Sequence, residues 1–540
     1  MQQPINWVTE VELIFLLLLL FVVIFAWLAR KLETPYPIVL VVAGLLLGFV
    51  PGIPKVTLNP EIVFLVVLPP LLYAAAWVTP WREFKFNLVS ISMLAFGLVG
   101  FTVFGAAQTS RWVFAGFDLR LGFVLGAVIA TTDAIAATSI AKRIGLPQGI
   151  VDILEAESLI NDATGLLALE FAIAMVVEGR TPTITQGIFR LAYLTGAGLL
   201  LGYVVARVAE WFERKIDDGP IEIILSILIP YGTYLGAEAI HASGVLAVVA
   251  CGLYMSNKSS HFFSPSVRVQ VWAVWDAFTF ILNGLVFVLI GLQLPFVLAG
   301  IREYSLGQLI LYGALFSAVV ILLRLIWMFP GVRIANLIRR KLLHQNVAVP
   351  SARQIFVIGW TGMRGVVALA AAISLPEKLA NGADFPQRNL IIFLTFSVIL
   401  VTLVLQGLTL PPLIRALGLA GGTGRDTEED DARREMIAAA LQRLRSEQEH
   451  DGEQFPDVYE EIEERYRHRL SALQNHDDSD SRHQQSAAHV ARYKDLLQQL
   501  MRIERHTAVS LRNQGRLNDE VLRRIEHELD LSEMRLALME

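Results

Sequence analysis

From Leu13 to Leu417 the chain alternates apolar runs of about 20 residues with short polar segments. A run of that length crosses the ~30 Å hydrocarbon core of a bilayer as a helix, and lipid offers no partners to open backbone. The pattern therefore predicts helical membrane spans. It places thirteen of them at 12–29, 37–53, 61–78, 87–107, 121–141, 150–177, 187–209, 221–240, 243–257, 270–294, 306–329, 354–376 and 389–416.

After about Gly421 the sequence becomes polar and charged. We predict two domains, a transmembrane domain over 1–420 and a helical cytoplasmic tail over 421–540. In the tail, Leu496, Leu497 and Leu500 recur at the spacing of one helical face. The tail sequence has no metal-ligand spacing, glycine-rich phosphate loop or basic nucleic-acid patch, so we predict dimer contacts or regulation, with no nucleic-acid partner and no cofactor.

Composition agrees with a membrane protein. Apolar residues make up 54% of the chain and the mean hydropathy is +0.53, whereas soluble domains have about 45–50% apolar residues. The single cysteine, Cys251, excludes an intramolecular disulfide and is expected to pack as a small apolar residue. Acidic residues precede the first run and Arg30 and Lys31 follow it, which favours a retained span over a secretory signal.

Lysine and arginine set the expected orientation. One set of alternate loops carries about twice as many of these residues as the other, and the richer set faces the cytoplasm in membrane proteins. We therefore expect a multi-pass protein of the cell (inner) membrane, with the N-terminus outside and the C-terminus in the cytoplasm.

An ionisable side chain at the bilayer centre costs at least ~2.5–3.5 kcal/mol, so each one inside a span suggests a function. In the fifth span, Asp133 follows Thr131 and Thr132. Threonines weaken a helix and leave hydroxyls and carbonyls that can coordinate a small hard cation. The alternative is that the threonines bond to their own helix and Asp133 only caps a break.

The sixth span offers a carboxylate with polar neighbours. Ser158 and Asp162 are four residues apart and share one face, Asn161 is one step round the helix, and Gly165 leaves room beside the carboxylate. Desolvation favours the protonated form of a carboxylic acid, so proton and cation can compete for one site. Glu157 faces about 140° away from Asp162 and needs another partner. A structural role for Asp162 is the alternative.

The twelfth span contains Arg364, with three glycines within five residues of it. Glycines allow close helix approach or an unwound segment. A buried arginine should be paired, and we expect Glu157 or Asp162 as its partner; the alternative is that it reaches an interface. Arg324, near the end of the eleventh predicted span, is expected to reach the interface along its long stem.

Three segments together resemble one family. ATTDAIAAT, ESLINDATG and WTGMRGVVALAAAISLP resemble the monovalent cation:proton antiporter family 1, the sodium/proton exchangers, and the similarity covers nearly all of 1–417. The resemblance implies an all-α membrane protein with about thirteen transmembrane helices, built from inverted repeats with crossed, broken helices. It also implies a homodimer that exchanges sodium for protons by alternating access.

The resemblance also implies roles for residues. Asp162 would carry the cation and the proton, with Ser158 and Thr132 as further sodium ligands. Asp133 and Asn161 would steady the broken helices. The Asn161–Asp162 pair, in place of two aspartates, resembles the pattern of electroneutral exchange.

Two further positions bear on the same resemblance. Glu157 matches the acidic residue that pairs with the arginine represented here by Arg364, which would give a supporting ion pair. Family members often carry a glutamate after the motif that reads LPPLLY here, and this chain has Ala74. Affinity and ion preference therefore do not follow from the motifs.

Other functions remain as alternatives. Potassium/proton or mixed cation exchange uses the same oxygen ligands as sodium exchange. A channel would need rings of charges or carbonyls from several subunits. An intramembrane aspartyl protease also places aspartates on two spans, as Asp133 and Asp162 lie, but its glycine–aspartate context is lacking, so we expect no enzymatic activity.

Overall fold

In the computed structural model the chain forms two compact units, Met1–Gly422 and Thr423–Glu540. The residues described are 7–51, 58–177, 184–216, 218–301, 304–345, 349–379, 382–421, 424–451, 456–474, 481–514 and 516–537. Each unit consists of helices in its described residues.

The helices of the first unit share an apolar character and follow one another through short connections. In chain order they are α1 (Trp7–Lys31), α2 (Tyr36–Gly48), α3 (Pro60–Val78), α4 (Trp81–Val113), α5 (Leu119–Ala130), α6 (Ala134–Ile144), α7 (Gln148–Val177), α8 (Ile184–Glu213), α9 (Gly219–Ala239), α10 (Gly244–Phe262), α11 (Pro265–Leu292), α12 (Leu294–Ala299), α13 (Leu306–Lys341), α14 (Ala352–Trp360), α15 (Val366–Ile373) and α16 (Arg388–Ala416).

Among the described residues, ten helices are long and apolar enough to cross a membrane; α5 and α6 together form one of them, and α11 and α12 together form another. The other predicted spans correspond to the short apolar helix α2, to α10, and to the pair α14 and α15. Large apolar side chains such as Trp112, Phe189 and Leu306 lie exposed on the helices. An apolar exterior of this kind suits contact with lipid, so the predicted all-α membrane fold is confirmed, whereas the count of thirteen spans stays a prediction.

Two of the predicted spans are interrupted. The first break, residues 131–133, separates α5 from α6, and the second break, residues 361–365, separates α14 from α15. At the first break Thr131 and Asp133 have extended backbones, and Asp133 Oδ1 accepts the Ile135 N–H at 2.8 Å, which caps α6. The threonines and the aspartate thus end one helix and begin the next.

The two breaks touch each other. The Asp133 N–H donates to the Met363 carbonyl at 2.9 Å, a main-chain bond between the breaks. Gly365 packs so closely against Asp133 that any Cβ there would overlap the carboxylate. The predicted pair of crossed, broken helices is therefore confirmed.

Small residues bring the surrounding helices close. α5 packs on α4 and α7, and a Cβ at Gly126 would lie 2.7 Å from the Val103 carbonyl on α4. On α7, a Cβ at Gly165 would lie 2.6 Å from Thr131 Cγ2. In the first break Thr131 and Thr132 are buried, and Asp133 is partly buried.

Within the described residues, three helices contain a π-helical turn, at Val63–Val67 in α3, Met93–Leu98 in α4 and Thr402–Gln406 in α16. Such turns are frequent at functional sites because they leave backbone or side-chain groups free of the regular helical pattern. The third turn begins at Thr402, which contacts the second break as described below.

The second unit consists of four helices in its described residues: α17 (Gly424–Asp451), α18 (Pro456–Gln474), α19 (Ser481–Asn513) and α20 (Asp519–Ala537). Met501 on α19 packs with Leu529 on α20, and Arg505 pairs with Asp530 at 2.5 Å. This unit is held by a small apolar cluster and by surface ion pairs.

Candidate ion-binding site

The first break is joined to α7 through polar side chains. Ser158 Oγ donates to the Thr132 carbonyl at 2.7 Å and accepts the Ala134 N–H at 3.4 Å. Asn161 Nδ2 donates to Thr132 Oγ1, which in turn donates to Glu157 Oε1 at 3.5 Å. The structure therefore brings Thr132, Ser158, Asn161 and Glu157 together.

Asp162 lies beside this network and can accept further hydrogen bonds. Its side chain is 7% exposed, and in the part of the chain that the structure describes neither Asp162 Oδ1 nor Asn161 Oδ1 has a hydrogen-bond donor. Asp133 and Arg364 both lie within electrostatic range of the Asp162 carboxyl. Buried acceptors without donors are costly, and a bound proton or small cation would satisfy them.

Asp133 is the second carboxylate at the breaks. One of its oxygens already caps α6 through Ile135, and the carboxylate abuts Gly365 of the second break. Asp133 is therefore placed both as a structural link between the breaks and as a negative charge near Asp162.

A buried ion pair supports the site from the other side. Arg324 on α13 contacts both carboxylate oxygens of Glu157, with Nη1–Oε1 at 2.5 Å and Nη2–Oε2 at 2.8 Å. Both side chains are 2% exposed. Arg324 also donates to the carbonyls of Gly359 and Ile358, each at 3.1 Å. These carbonyls lie in the last turn of α14, where a helix lacks its own donors.

The predicted ion pair between Glu157 and Arg364 is thus wrong, and so is the expectation that Arg324 reaches an interface. The error about Arg324 arises from the length of α13, which was predicted to end at residue 329 but extends from Leu306 to Lys341. Arg324 therefore lies at the middle of the helix. The apolar positions that continue past Pro330 were the signal that could have placed Arg324 in the middle of its helix, although they do not identify Glu157 as its partner.

Arg364 occupies a different position at the second break. Its side chain is 1% exposed, and its main-chain N–H donates to Thr402 Oγ1 at 3.2 Å. Among the described residues its Nε and Nη1 atoms have no hydrogen-bond partner. Arg324, Glu157 and Asp162 lie within its electrostatic range. Arg364 therefore supplies a buried positive charge beside Asp162 without a direct ion pair.

The arrangement can hold one small positive charge. Carboxylate, amide, hydroxyl and carbonyl oxygens, the ligand types that hard cations prefer, converge where two helices are broken. Half-helix ends at such a break also present free backbone groups to an ion. The same Asp162 carboxylate can take a proton instead.

Comparisons with known proteins point to one family. A family model described as "Sodium/hydrogen exchanger, transmembrane" matches residues 16–416. A "Sodium, potassium, lithium and rubidium/H(+) antiporter" of Bacillus pumilus is 35% identical over 421 residues, which cover 76% of this chain and 62% of that protein. An uncharacterized Na(+)/H(+) exchanger of Mycobacterium bovis is 33% identical over 525 residues, or 95% of this chain and 94% of the relative.

A solved structure shares the fold. The sodium proton antiporter MjNhaP1 from Methanocaldococcus jannaschii superposes with a TM-score of 0.60 at 20% identity, over 75% of this chain and 97% of that chain. The resemblance drawn from the three sequence motifs is confirmed. With the family match covering most of the transmembrane unit, the chain belongs to the sodium/hydrogen exchanger family of membrane antiporters, which are transporters and not enzymes.

Proposed function

We propose that the protein exchanges sodium for protons and that Asp162 carries either ion in turn. The observation that supports this most directly is the buried Asp162 carboxylate, whose Oδ1 lacks a donor among the described residues and which lies within electrostatic range of Asp133 at the first break. A site that accepts one positive charge at a time couples the two ions, because sodium must leave before a proton binds.

Sodium is held by Asp162 with Ser158 and Thr132, and the unpartnered Oδ1 of Asn161 is a further candidate ligand. Asn161 is neutral, so a single carboxylate trades one proton for one sodium ion and the exchange is electroneutral. Asp133 acts mainly through its cap of α6 and its contact with the second break.

Transport follows alternating access in a homodimer of the cell membrane, with the N-terminus outside and the tail in the cytoplasm. The hydrogen bond between the breaks and the Arg324–Glu157 pair tie α6, α7, α13 and α14 together. These helices therefore move as one body that carries Asp162 from one side to the other. The tail over 421–540 serves dimer contacts or regulation.

Mixed monovalent cation exchange is the second candidate. The Bacillus pumilus relative is named for sodium, potassium, lithium and rubidium, and Ala74 stands where family members often carry a glutamate. A site short of one carboxylate selects less strictly among monovalent cations.

The test is cation-driven proton flux in proteoliposomes with a pH-sensitive dye, using sodium, potassium and lithium in turn. Asp162→Asn removes the carrier, and Asp276→Asn, an exposed aspartate on α11, is the matched control. Sodium should dissipate the pH gradient with wild type and Asp276→Asn but not with Asp162→Asn. Flux with potassium alone would identify potassium, and not sodium, as the exchanged cation. Normal flux in Asp162→Asn would refute Asp162 as the carrier.

A further inference from the structure

A line of polar side chains on α7 continues from Asp162 toward the start of that helix. Glu155, Ser158 and Asp162 follow one another at three- and four-residue steps, so they lie on one face of α7. At 1.5 Å per residue, Glu155 lies about 10 Å along the helix from Asp162, with Ser158 between them. Glu155 and Ser158 are partly exposed, whereas Glu157 and Asn161 on other faces are buried. The face that carries Asp162 therefore becomes more accessible toward the beginning of α7.

α6 follows this face of α7 from the first break onward. Where α6 begins, the Ala134 N–H donates to Ser158 Oγ at 3.4 Å. Where α6 ends, Lys142 Nζ lies 2.7 Å from Glu155 Oε1. Ser139, one turn before Lys142, is partly exposed. The two contacts join both ends of α6 to α7, so the helices run side by side from the first break to Glu155.

The ion pair at the far end of this line is open to water on one side. The Glu155 side chain is 13% exposed and the Lys142 side chain is 52% exposed. Within the described residues Lys142 is the one ion-pair partner of Glu155, because Arg143 Nη1 donates to the Glu33 carbonyl at 2.7 Å instead. An ion pair with an exposed partner contributes little free energy, and the lysine stem is flexible. The Lys142 ammonium can therefore leave Glu155 readily.

A purely structural link between helices is the simpler role for such a pair. Glu170 at the other end of α7 fits that role, since it pairs with Arg190 at 3.0 Å and the side chains are 53% and 38% exposed. Glu170 is also turned about 80° round the helix from Asp162. Glu155 differs because it is mostly buried and shares a face with Asp162. A mostly buried carboxylate within a membrane span, on the face of the ion site, is typical of an ion pathway.

We propose that Glu155 is a further cation-binding residue, which holds sodium on its way between Asp162 and the cytoplasm while Lys142 occupies it between passages. The inference rests on the proposed function and on the orientation given there, in which α7 begins at the cytoplasmic face. Sodium displaces the Lys142 ammonium from Glu155, the ammonium turns to water, and the ion continues past Ser158 to Asp162. One positive charge replaces another at Glu155, so its charge stays balanced and no covalent bond changes.

Sodium/proton exchange in vesicles of opposite orientation tests the two residues. In inside-out vesicles, where added sodium meets the cytoplasmic face, Glu155→Gln should raise the KM for sodium several-fold. Lys142→Gln should lower that KM, because it removes the competing ammonium, and Lys142→Arg should keep it near the wild-type value. Glu170→Gln, the matched control on the same helix, should leave the cytoplasmic KM unchanged.

The opposite direction of the two changes distinguishes ion binding from a structural link. Loss of a structural link predicts the same defect in Glu155→Gln and Lys142→Gln, with sodium supplied at either face. In right-side-out vesicles the KM for sodium should stay unchanged in both variants. An unchanged cytoplasmic KM in Glu155→Gln, an equal rise at both faces, or a rise in both variants would overturn the proposal.

A second measurement uses the wild-type chain in lipid nanodiscs and needs no variant. N-hydroxysuccinimide acetate acetylates free amines, and mass spectrometry reports the rate at each lysine. Sodium chloride should speed acetylation of Lys142 relative to choline chloride at equal concentration, because sodium releases the amine from Glu155. Lys341, an exposed lysine at the end of α13, is the control and should react equally in both salts. Equal rates at Lys142 in both salts would contradict displacement by sodium.

The same measurements separate this inference from the proposed function. Sodium-dependent acetylation of Lys142 should persist in Asp162→Asn, which should not exchange. Loss of exchange in Asp162→Asn together with an unchanged KM in Glu155→Gln would refute Glu155 alone. Normal exchange in Asp162→Asn would refute the proposed carrier, whatever the acetylation rate at Lys142.

Discussion

Substitution of Arg324 by glutamine should strongly destabilise the transmembrane unit. It removes both hydrogen bonds to Glu157, at 2.5 and 2.8 Å, and leaves a carboxylate that is 2% exposed without its counter-ion. Breaking a buried ion pair by removal of one partner costs about 3–5 kcal/mol. The carbonyls of Ile358 and Gly359 also lose their donor, and an unsatisfied buried acceptor adds about 1–3 kcal/mol.

A double variant of the ion pair shows whether the loss of stability comes from the uncompensated charge of Glu157. Glu157→Gln in the Arg324→Gln background removes the uncompensated charge, so the double variant should be less destabilised than the sum of the two single variants. Residues in one buried network show coupling energies of about 0.5–3 kcal/mol. The two unsatisfied carbonyls at the end of α14 should keep the free energy of unfolding of the double variant below that of wild type.

The assay measures the free energy of unfolding in lipid bicelles for wild type, both single variants and the double variant. Arg190→Gln is the control, because its 3.0 Å ion pair with Glu170 has side chains that are 38% and 53% exposed. An exposed pair contributes about 0–1 kcal/mol. A loss of stability in Arg324→Gln equal to that of the control, or single effects that simply add in the double variant, would refute a stabilising role for the buried ion pair.

Two smaller changes probe the contacts at the breaks. Gly365→Ala places a methyl group against the Asp133 carboxylate. Because overpacking costs about 1–3 kcal/mol, sodium/proton exchange by this variant should slow several-fold at matched expression. The control variant Gly187→Ala, whose added Cβ would have nothing within 4 Å, should exchange normally. Thr402→Val removes the 3.2 Å acceptor of a buried N–H in the second break, which should lower the free energy of unfolding by about 1–3 kcal/mol. Thr395→Val, whose hydroxyl bonds only to its own helix, should lower it less, and equal losses would contradict this explanation.

Much of the site could be predicted because it depends on local spacing. Ser158 and Asp162 lie four residues apart on one helix, and the threonines before Asp133 weaken the helix where it breaks. Both signals are contained in a few neighbouring residues. The fold followed in the same way, since apolar length alone dictates helices in lipid.

The ion pair could not be predicted, because Arg324 and Arg364 both lie in predicted spans and local spacing does not show which of them reaches Glu157. The choice between them depends on where α13 passes α7, which no spacing within one segment reports. The predicted eleventh span stopped at 329, so Arg324 was placed near its end, whereas the helix continues to Lys341.

The bond between the two breaks has a consequence for how this protein can diverge. It joins the N–H of Asp133 to the carbonyl of Met363, so both partners are main-chain atoms. Every residue except proline keeps the donor at position 133, and every residue keeps the acceptor at 363. Substitutions other than proline at 133 therefore leave this bond intact, and paired changes between positions 133 and 363 are not expected in relatives. The contact between the two breaks depends here on main-chain atoms, whereas the Asp133 carboxylate is needed for the cap of α6.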